Sequence, residues 1–238
     1  MAIADSLNTI AENVPKVYEA GKKAKYDEFW DKYQDYGNRT AYGYAFGGRG
    51  WGWALAEFLP PKWDIELDSG KTTNHSIFNM FNGGADTRYD MTEICKKLDC
   101  SNALNLNGMF KDANVENINI DISNCTVASD MFNMGLGGGN IDKVTLKVSE
   151  KLQTVTNMFL NCKSIETLIF TEDSVIAVAL NLSACGKLTH ESLLSIINAL
   201  KDYSGTTTTK TITFHATAKA KLTDAEKAIA TQKGWNLA

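Results

Sequence analysis

The chain of 238 residues lacks any run of about 20 apolar residues, so we expect no membrane-spanning helix. It also lacks an excess of positive charge, since 24 Lys and Arg stand against 28 Asp and Glu. The resulting net charge of −4 argues against a nucleic-acid partner. With 44% hydrophobic and 22% charged residues, the composition predicts a folded protein of one or two domains.

Motifs that carry chemistry are equally scarce. The His190-Glu191 pair has no second histidine at the spacing of a zinc-binding helix, and the glycine-rich stretch 136–140 lacks the Gly-Lys-Ser/Thr of a phosphate-binding loop. The five cysteines are odd in number and contain no C-x-x-C pair, which argues against a disulfide framework or a structural zinc site. We therefore expect a protein that is not an enzyme, with no catalytic residue, cofactor or metal.

The N-terminus carries acidic residues early and has no apolar core segment, so we do not expect a secretory signal peptide. Residues 1–36 predict helices that Pro15 divides. Their apolar and aromatic stripes either pack on the next domain or serve self-association, as a trimer for example, or docking to a larger assembly. For the second interpretation, the assembly interface would comprise Ile3, Leu7, Ile10, Val14, Val17, Phe29 and Trp30.

Residues 37–64 alternate glycines with aromatic residues and end at Pro60-Pro61. The segment is interpreted as an N-terminal cap over the next domain. Exposed Trp and Tyr beside Gly are also typical of a ligand-binding surface, in which case Tyr44, Trp51 and Trp53 are the candidate contacts.

Residues 65–186 contain an internal repeat. Residues 98–110 (LDCSNALNLNGMF) align without a gap on residues 120–132 (IDISNCTVASDMF). The same pattern recurs in residues 146–159 (LKVSEKLQTVTNMF). Each Met-Phe pair is followed by a predicted strand, with apolar residues at Val115, Ile118, Ile120; Ile141, Val144, Leu146; and Ile165, Leu168, Phe170. Such self-similarity predicts a solenoid of about five coils, with Leu182 taking the Phe place in the fifth.

The repeat also suggests a role for the cysteines. Three residues after the Phe column, every occupant is small: Gly84, Ala113, Gly135, Cys162 and Cys185. An inward-facing position with little room accepts Gly, Ala or a thiol, so these cysteines are interpreted as small buried hydrophobes. Asp99 and Asp121, at equivalent repeat positions, are interpreted as a structural or surface ladder.

Residues 187–238 predict a C-terminal cap of helix, strand and helix. Thr189 is a good N-cap for an amphipathic helix over 190–203, and 205–214 is a β-prone stretch. Thr223 and Glu226 have the spacing of a capping box, opening a helix that ends at Gly234.

The Met-Phe-x-x-Cys-x-x-Ile-x-x-Leu-x-Phe unit of 158–170 resembles leucine-rich repeats of the BspA-like bacterial-surface type. The whole layout also resembles prophage-encoded proteins of gut Firmicutes. That resemblance rests on short motifs: Val14–Gly21, Phe29-Trp30-Asp31, Ala45-Phe46, Gly50-Trp51, Pro61-Lys62 and Lys233-Gly234-Trp235. It implies an α/β fold, a right-handed leucine-rich-repeat solenoid with N-terminal helices and a C-terminal cap.

The resemblance further implies a non-enzymatic virion protein, associated with a phage tail or baseplate and made in the bacterial cytoplasm. Its partners would be other tail proteins, or a host surface protein or glycan. A bacterial cell-surface adhesion module is the alternative, for which a signal and an anchor segment would be expected. A third hypothesis is a glycan-acting enzyme that uses Trp51, Trp53 and a pair of acidic residues.

Overall fold

The computed structural model describes residues 63–64, 96, 98–101, 103–135 and 140–238. The helices predicted over 1–36 and the glycine- and aromatic-rich segment 37–64 lie outside these residues, apart from Trp63–Asp64. The first part of the repeat, 65–95, lies outside them as well.

The described residues form eight strands and three helices. The strands are β1 (Trp63–Asp64), β2 (Leu98–Asp99), β3 (Asn114–Asp121), β4 (Asn140–Lys147), β5 (Thr167–Phe170), β6 (Leu180–Leu182), β7 (Lys210–Phe214) and β8 (Trp235–Leu237). The helices are α1 (His190–Ala199), α2 (Ala216–Lys219) and α3 (Asp224–Gln232). The strands pair in parallel as β1-β2, β3-β4-β5 and β6-β7-β8.

The strands predicted from the repeat are present and in register. Val115 pairs with Ile141, and Leu146 pairs with Phe170, which reproduces the predicted steps of 26 and 24 residues. In each strand the apolar residues of the pattern are buried, because they face a common core. One boundary differs, since β5 begins at Thr167, two residues after Ile165.

A second backbone ladder joins three stretches, 105–112, 127–134 and 154–161, which we call the turn segments. Leu106 N–H donates to the Val127 carbonyl at 2.8 Å, and Phe132 N–H donates to the Met158 carbonyl at 2.9 Å. Inside this ladder the phenylalanine rings stack, with centroids 5.7 Å apart for Phe110 and Phe132 and 5.3 Å apart for Phe132 and Phe159. The Phe column of the repeat is therefore a continuous part of the core.

The sheet β3-β4-β5, which we call the first sheet, ends at β5 because helix α1 covers its edge. The Ser195 hydroxyl accepts from Phe170 N–H at 2.8 Å and donates to the Phe170 carbonyl at 3.0 Å. One turn earlier, the buried Ser192 hydroxyl accepts from Leu168 N–H at 3.0 Å. Two helical serines thus replace the hydrogen bonds that a further strand would make.

The sheet β6-β7-β8, which we call the second three-stranded sheet, includes the last residues of the sequence. Trp235 on β8 is buried, and its indole N–H donates to the Lys201 carbonyl at 2.8 Å. The Lys219 ammonium, at the end of α2, donates to the Leu237 carbonyl at 2.9 Å. Lys233 donates to the Asn198 carbonyl at 2.8 Å near the end of α1, so side chains from three elements fasten this region.

The prediction of a leucine-rich-repeat solenoid with a helix-strand-helix cap is wrong for the described residues. They form small separate parallel sheets with three helices, and no solenoid spans them. The cause is the edge closure by Ser192 and Ser195, after which β6 pairs with β7 instead of extending the first sheet. Leu182, expected in the Phe column, is a residue of β6.

Several local predictions for 187–238 are confirmed. Thr189 caps α1, and Thr223 with Glu226 forms a complete capping box at the start of α3. Gly234 follows α3 with a φ of 81°, a left-handed conformation that favours glycine. Helix α1 ends at Ala199 rather than at 203, and the order is helix, strand, helix, helix, strand, because α2 and β8 were not predicted.

Candidate interaction surface

The sheet β3-β4-β5 has one buried face and one face toward solvent, because strand side chains alternate in direction. Val144 and Leu146 are buried, whereas Lys143 is exposed and Thr145 is half-buried. Parallel pairing in register aligns the outer side chains in rows: Asn117, Lys143 and Thr167 in one, and Asn119, Thr145 and Ile169 in the next. We call these six residues the polar face.

Ion pairs close one end of the polar face. The Lys147 ammonium lies 3.2 Å from an Asp173 oxygen and 3.7 Å from an Asp121 oxygen. The hydrogen bond to Asp173, helped by the nearby Asp121, raises the pKa of Lys147. Lys147 therefore offsets one of these two carboxylates at the end of the face. The face itself consists of amides, hydroxyls, one isoleucine and the exposed Lys143.

Polar side chains beside the sheet link successive repeats. Asn124 donates to the Ser101 carbonyl at 2.8 Å, and Lys151 donates to the Asn124 carbonyl oxygen at 2.6 Å. The Asp121 carboxylate accepts from Ser123 N–H at 2.8 Å, as Asp99 does from Ser101 N–H at 3.1 Å. The two equivalent aspartates therefore make the same local hydrogen bond, which is consistent with a structural or surface ladder.

The four cysteines among the described residues are free and buried, as expected for small hydrophobes. Burial raises the pKa of Cys125 to about 11 and that of Cys185 to about 12, and it raises the pKa of Cys100 and Cys162 as well. A thiol is nucleophilic only as the thiolate, so these groups are unreactive near neutral pH. Gly135 departs from the predicted column, because it is exposed.

We expect Cys100, Cys125, Cys162 and Cys185 to resist alkylation in the native protein because their thiols stay protonated and shielded. Iodoacetamide labelling at pH 8, followed by peptide mass spectrometry, measures the extent of reaction at each position. The same reaction in denaturant is the control and should label all four. Rapid labelling of Cys162 in the native protein would contradict this packing.

His190 begins α1 and its Nε2 lies 2.9 Å from a Glu226 carboxylate oxygen at the start of α3. The hydrogen bond from the Thr223 backbone N–H, with this His190 contact, lowers the pKa of Glu226. The pair joins two helix N-termini, which agrees with the first-turn position predicted for His190.

An apolar cavity of about 10 Å³ lies where the first sheet meets β6, lined by Val148, Leu152, Met158, Phe170, Val175, Ile176, Ala177, Val178 and Leu180. Within the described part of the chain, no cluster of three or more His, Cys, Asp or Glu residues could hold a metal ion. No helix there is both long and apolar enough to cross a membrane.

The residues predicted for assembly (Ile3, Leu7, Ile10, Val14, Val17, Phe29 and Trp30) and for ligand contact (Tyr44, Trp51 and Trp53) all lie outside the described residues. The polar face was missed at the level of sequence. The signal was present between the apolar positions of each strand, where Asn, Thr and Lys recur.

Comparison of the chain with protein-family models, with curated proteins and with solved structures finds no match. Function is therefore inferred from the geometry of the described residues and from the sequence.

Proposed function

We propose that the chain is a non-enzymatic interaction protein that presents the polar face to a macromolecular partner. The observation that supports this is the in-register alignment of Asn117, Asn119, Lys143, Thr145, Thr167 and Ile169 on one side of a parallel sheet. Amide and hydroxyl groups both donate and accept hydrogen bonds, so such rows suit a partner rich in polar groups.

The packing beneath the polar face favours a rigid presenting surface. The opposite side of the sheet contacts a continuous apolar core that includes Val144, Leu168 and the stacked phenylalanines. The paired strands fix the backbone positions of these six residues before a partner arrives, which lowers the entropy lost on binding.

The setting that we propose is a phage or prophage tail or baseplate, with other tail proteins or a host surface molecule as the partner. The support for this setting is the sequence resemblance to prophage-encoded proteins. A bacterial adhesion module with the same polar face is the second candidate, and the test below separates the two.

The first test is mass spectrometry of density-purified particles from an induced culture of the source organism. We expect the chain to band with the particles at a stoichiometry near that of tail components. An abundant cytoplasmic protein serves as the contamination control. Recovery in the cell envelope fraction alone would overturn the tail setting and favour the adhesion module.

The second test probes the polar face itself. A photo-crosslinking amino acid at Asn119, which is exposed on β3, should yield adducts with a particle or surface protein. The matched control carries the same group at Ala225, exposed on α3. Equal adducts from both positions would contradict a role for the polar face.

A further inference from the structure

The ladder of the turn segments follows a regular hydrogen-bond rule. In the first segment, the N–H groups of Leu106, Gly108, Phe110 and Asp112 donate to carbonyls of the second. In the second segment, the N–H groups of Ala128, Asp130, Phe132 and Met134 donate to carbonyls of the third. Alternate residues therefore provide the donors, and each set of four is satisfied by the next segment.

The third turn segment has the same backbone form, but no described residue offers it such acceptors. Its equivalent donors belong to Val155, Asn157, Phe159 and Asn161. Asn157 has a φ of 56°, matching the 63° and 53° of its equivalents Gly108 and Asp130. Among the hydrogen bonds of the described residues, none has any of these four N–H groups as donor.

The residues that follow the third turn segment in sequence make their hydrogen bonds with other parts of the protein. The Ala177 carbonyl accepts from the Tyr203 hydroxyl at 3.0 Å, and β6 pairs with β7. Next to the first sheet, the backbone contact between successive repeats continues, because Val175 N–H donates to the Val148 carbonyl at 3.0 Å. The small apolar cavity also lies at this junction, lined by Met158 and Leu180 among others.

We propose that the edge formed by residues 155–161 docks a segment of a partner polypeptide that takes the same turn conformation as the turn segments. Its four N–H donors at alternate positions would be met by alternate carbonyls of that segment, as the carbonyls of 154, 156, 158 and 160 meet the donors of the second turn segment. Residues 152–162 contain no charged side chain, whereas charged residues usually protect open edges from pairing. Leu160 is 41% exposed and offers the incoming segment an apolar contact. This edge shares no residue with the polar face.

The probe is a fluorescent synthetic peptide with the sequence of residues 152–161. It is chosen because the carbonyls of 154, 156, 158 and 160 already satisfy the equivalent donors of the second turn segment. We expect it to bind the full chain, measured by fluorescence anisotropy, and a scrambled peptide to bind at least tenfold more weakly. In NMR amide exchange, binding should slow residues 155, 157, 159 and 161 at least tenfold.

The variant Leu160→Lys places a charge at the edge and should weaken peptide binding at least tenfold. Its matched control is Leu104→Lys, since Leu104 is 36% exposed but lies beside the first segment, whose donors are satisfied. Both positions are at the surface, and circular dichroism verifies that both variants fold.

Three results would overturn the proposal. The first is amide exchange of residues 155, 157, 159 and 161 in the free protein that is as slow as that of 128, 130, 132 and 134. The second is equal binding of the peptide by the two lysine variants. A concentration-dependent dimer that Leu160→Lys dissociates would assign the edge to a second copy of the chain instead of a foreign partner.

Discussion

Replacing Phe132 by alanine should lower the free energy of unfolding by about 3–5 kcal/mol. The side chain is fully buried and is the middle ring of the stack, with Phe110 on one side at an interplanar angle of 5° and Phe159 on the other at 21°. The truncation leaves a cavity that the fixed turn segments cannot close, because their backbones are hydrogen-bonded to each other. Denaturant unfolding monitored by circular dichroism gives the change.

The control is Leu160→Ala, which removes a partly exposed side chain and should cost much less. A double-mutant cycle of Phe132→Ala with Phe110→Ala isolates the ring contact, and we expect a coupling of about 0.5–1.5 kcal/mol. A loss below about 1 kcal/mol for Phe132→Ala would show that the core closes around the gap.

The second large effect is expected when Ser192 and Ser195 are both changed to alanine. Each change removes the hydroxyl that satisfies backbone groups of β5, and an unsatisfied buried group costs about 1–3 kcal/mol. Alanine has the better helix propensity, which returns at most about 0.7 kcal/mol per residue. The hydrogen-bond loss therefore dominates, and the double variant should be less stable by at least about 0.6 kcal/mol.

Thermal and urea unfolding of the two single variants and the double variant measures this loss. The matched control is Ser183→Ala, whose exposed side chain makes no hydrogen bond to a described residue. Stability equal to that of the parent chain would contradict the view that the helical hydroxyls close the sheet edge.

The strand positions could be predicted because each strand buries an alternating apolar set, as Ile141, Val144 and Leu146 show. The helix starts could be predicted too, since a cap such as Thr189 or the Thr223 and Glu226 pair depends on neighbours only three residues away. Both signals depend on residues that are close together in the sequence.

The end of the first sheet could not be predicted in the same way. It depends on the contact of Ser195 with Phe170, residues 25 apart in the chain, and serine on a helix gives no periodic signal. The repeat alone favoured continued stacking, so the solenoid prediction failed where a helix took the place of a strand.

The residues with left-handed backbone conformation follow a further pattern in the sequence. In the part of the chain that the structure describes, the residue before each Met-Phe pair is Gly108, Asp130 or Asn157, and all three have a positive φ. Gly, Asn and Asp tolerate this conformation best. The polar face is harder to predict, because Asn, Thr and Lys at outer strand positions are equally typical of a surface that binds nothing.

The contact of Lys219 with Leu237 has a consequence for behaviour at high concentration. Ala238 uses both its backbone groups on β7, so the Leu237 carbonyl one residue earlier points away from that strand. An edge strand with unpaired carbonyl groups can pair with a strand of another molecule, and repeated pairing of this kind produces filaments. An ammonium group on this oxygen makes the terminal strand a poor template, so concentrated solutions of the protein should resist filament growth from this end.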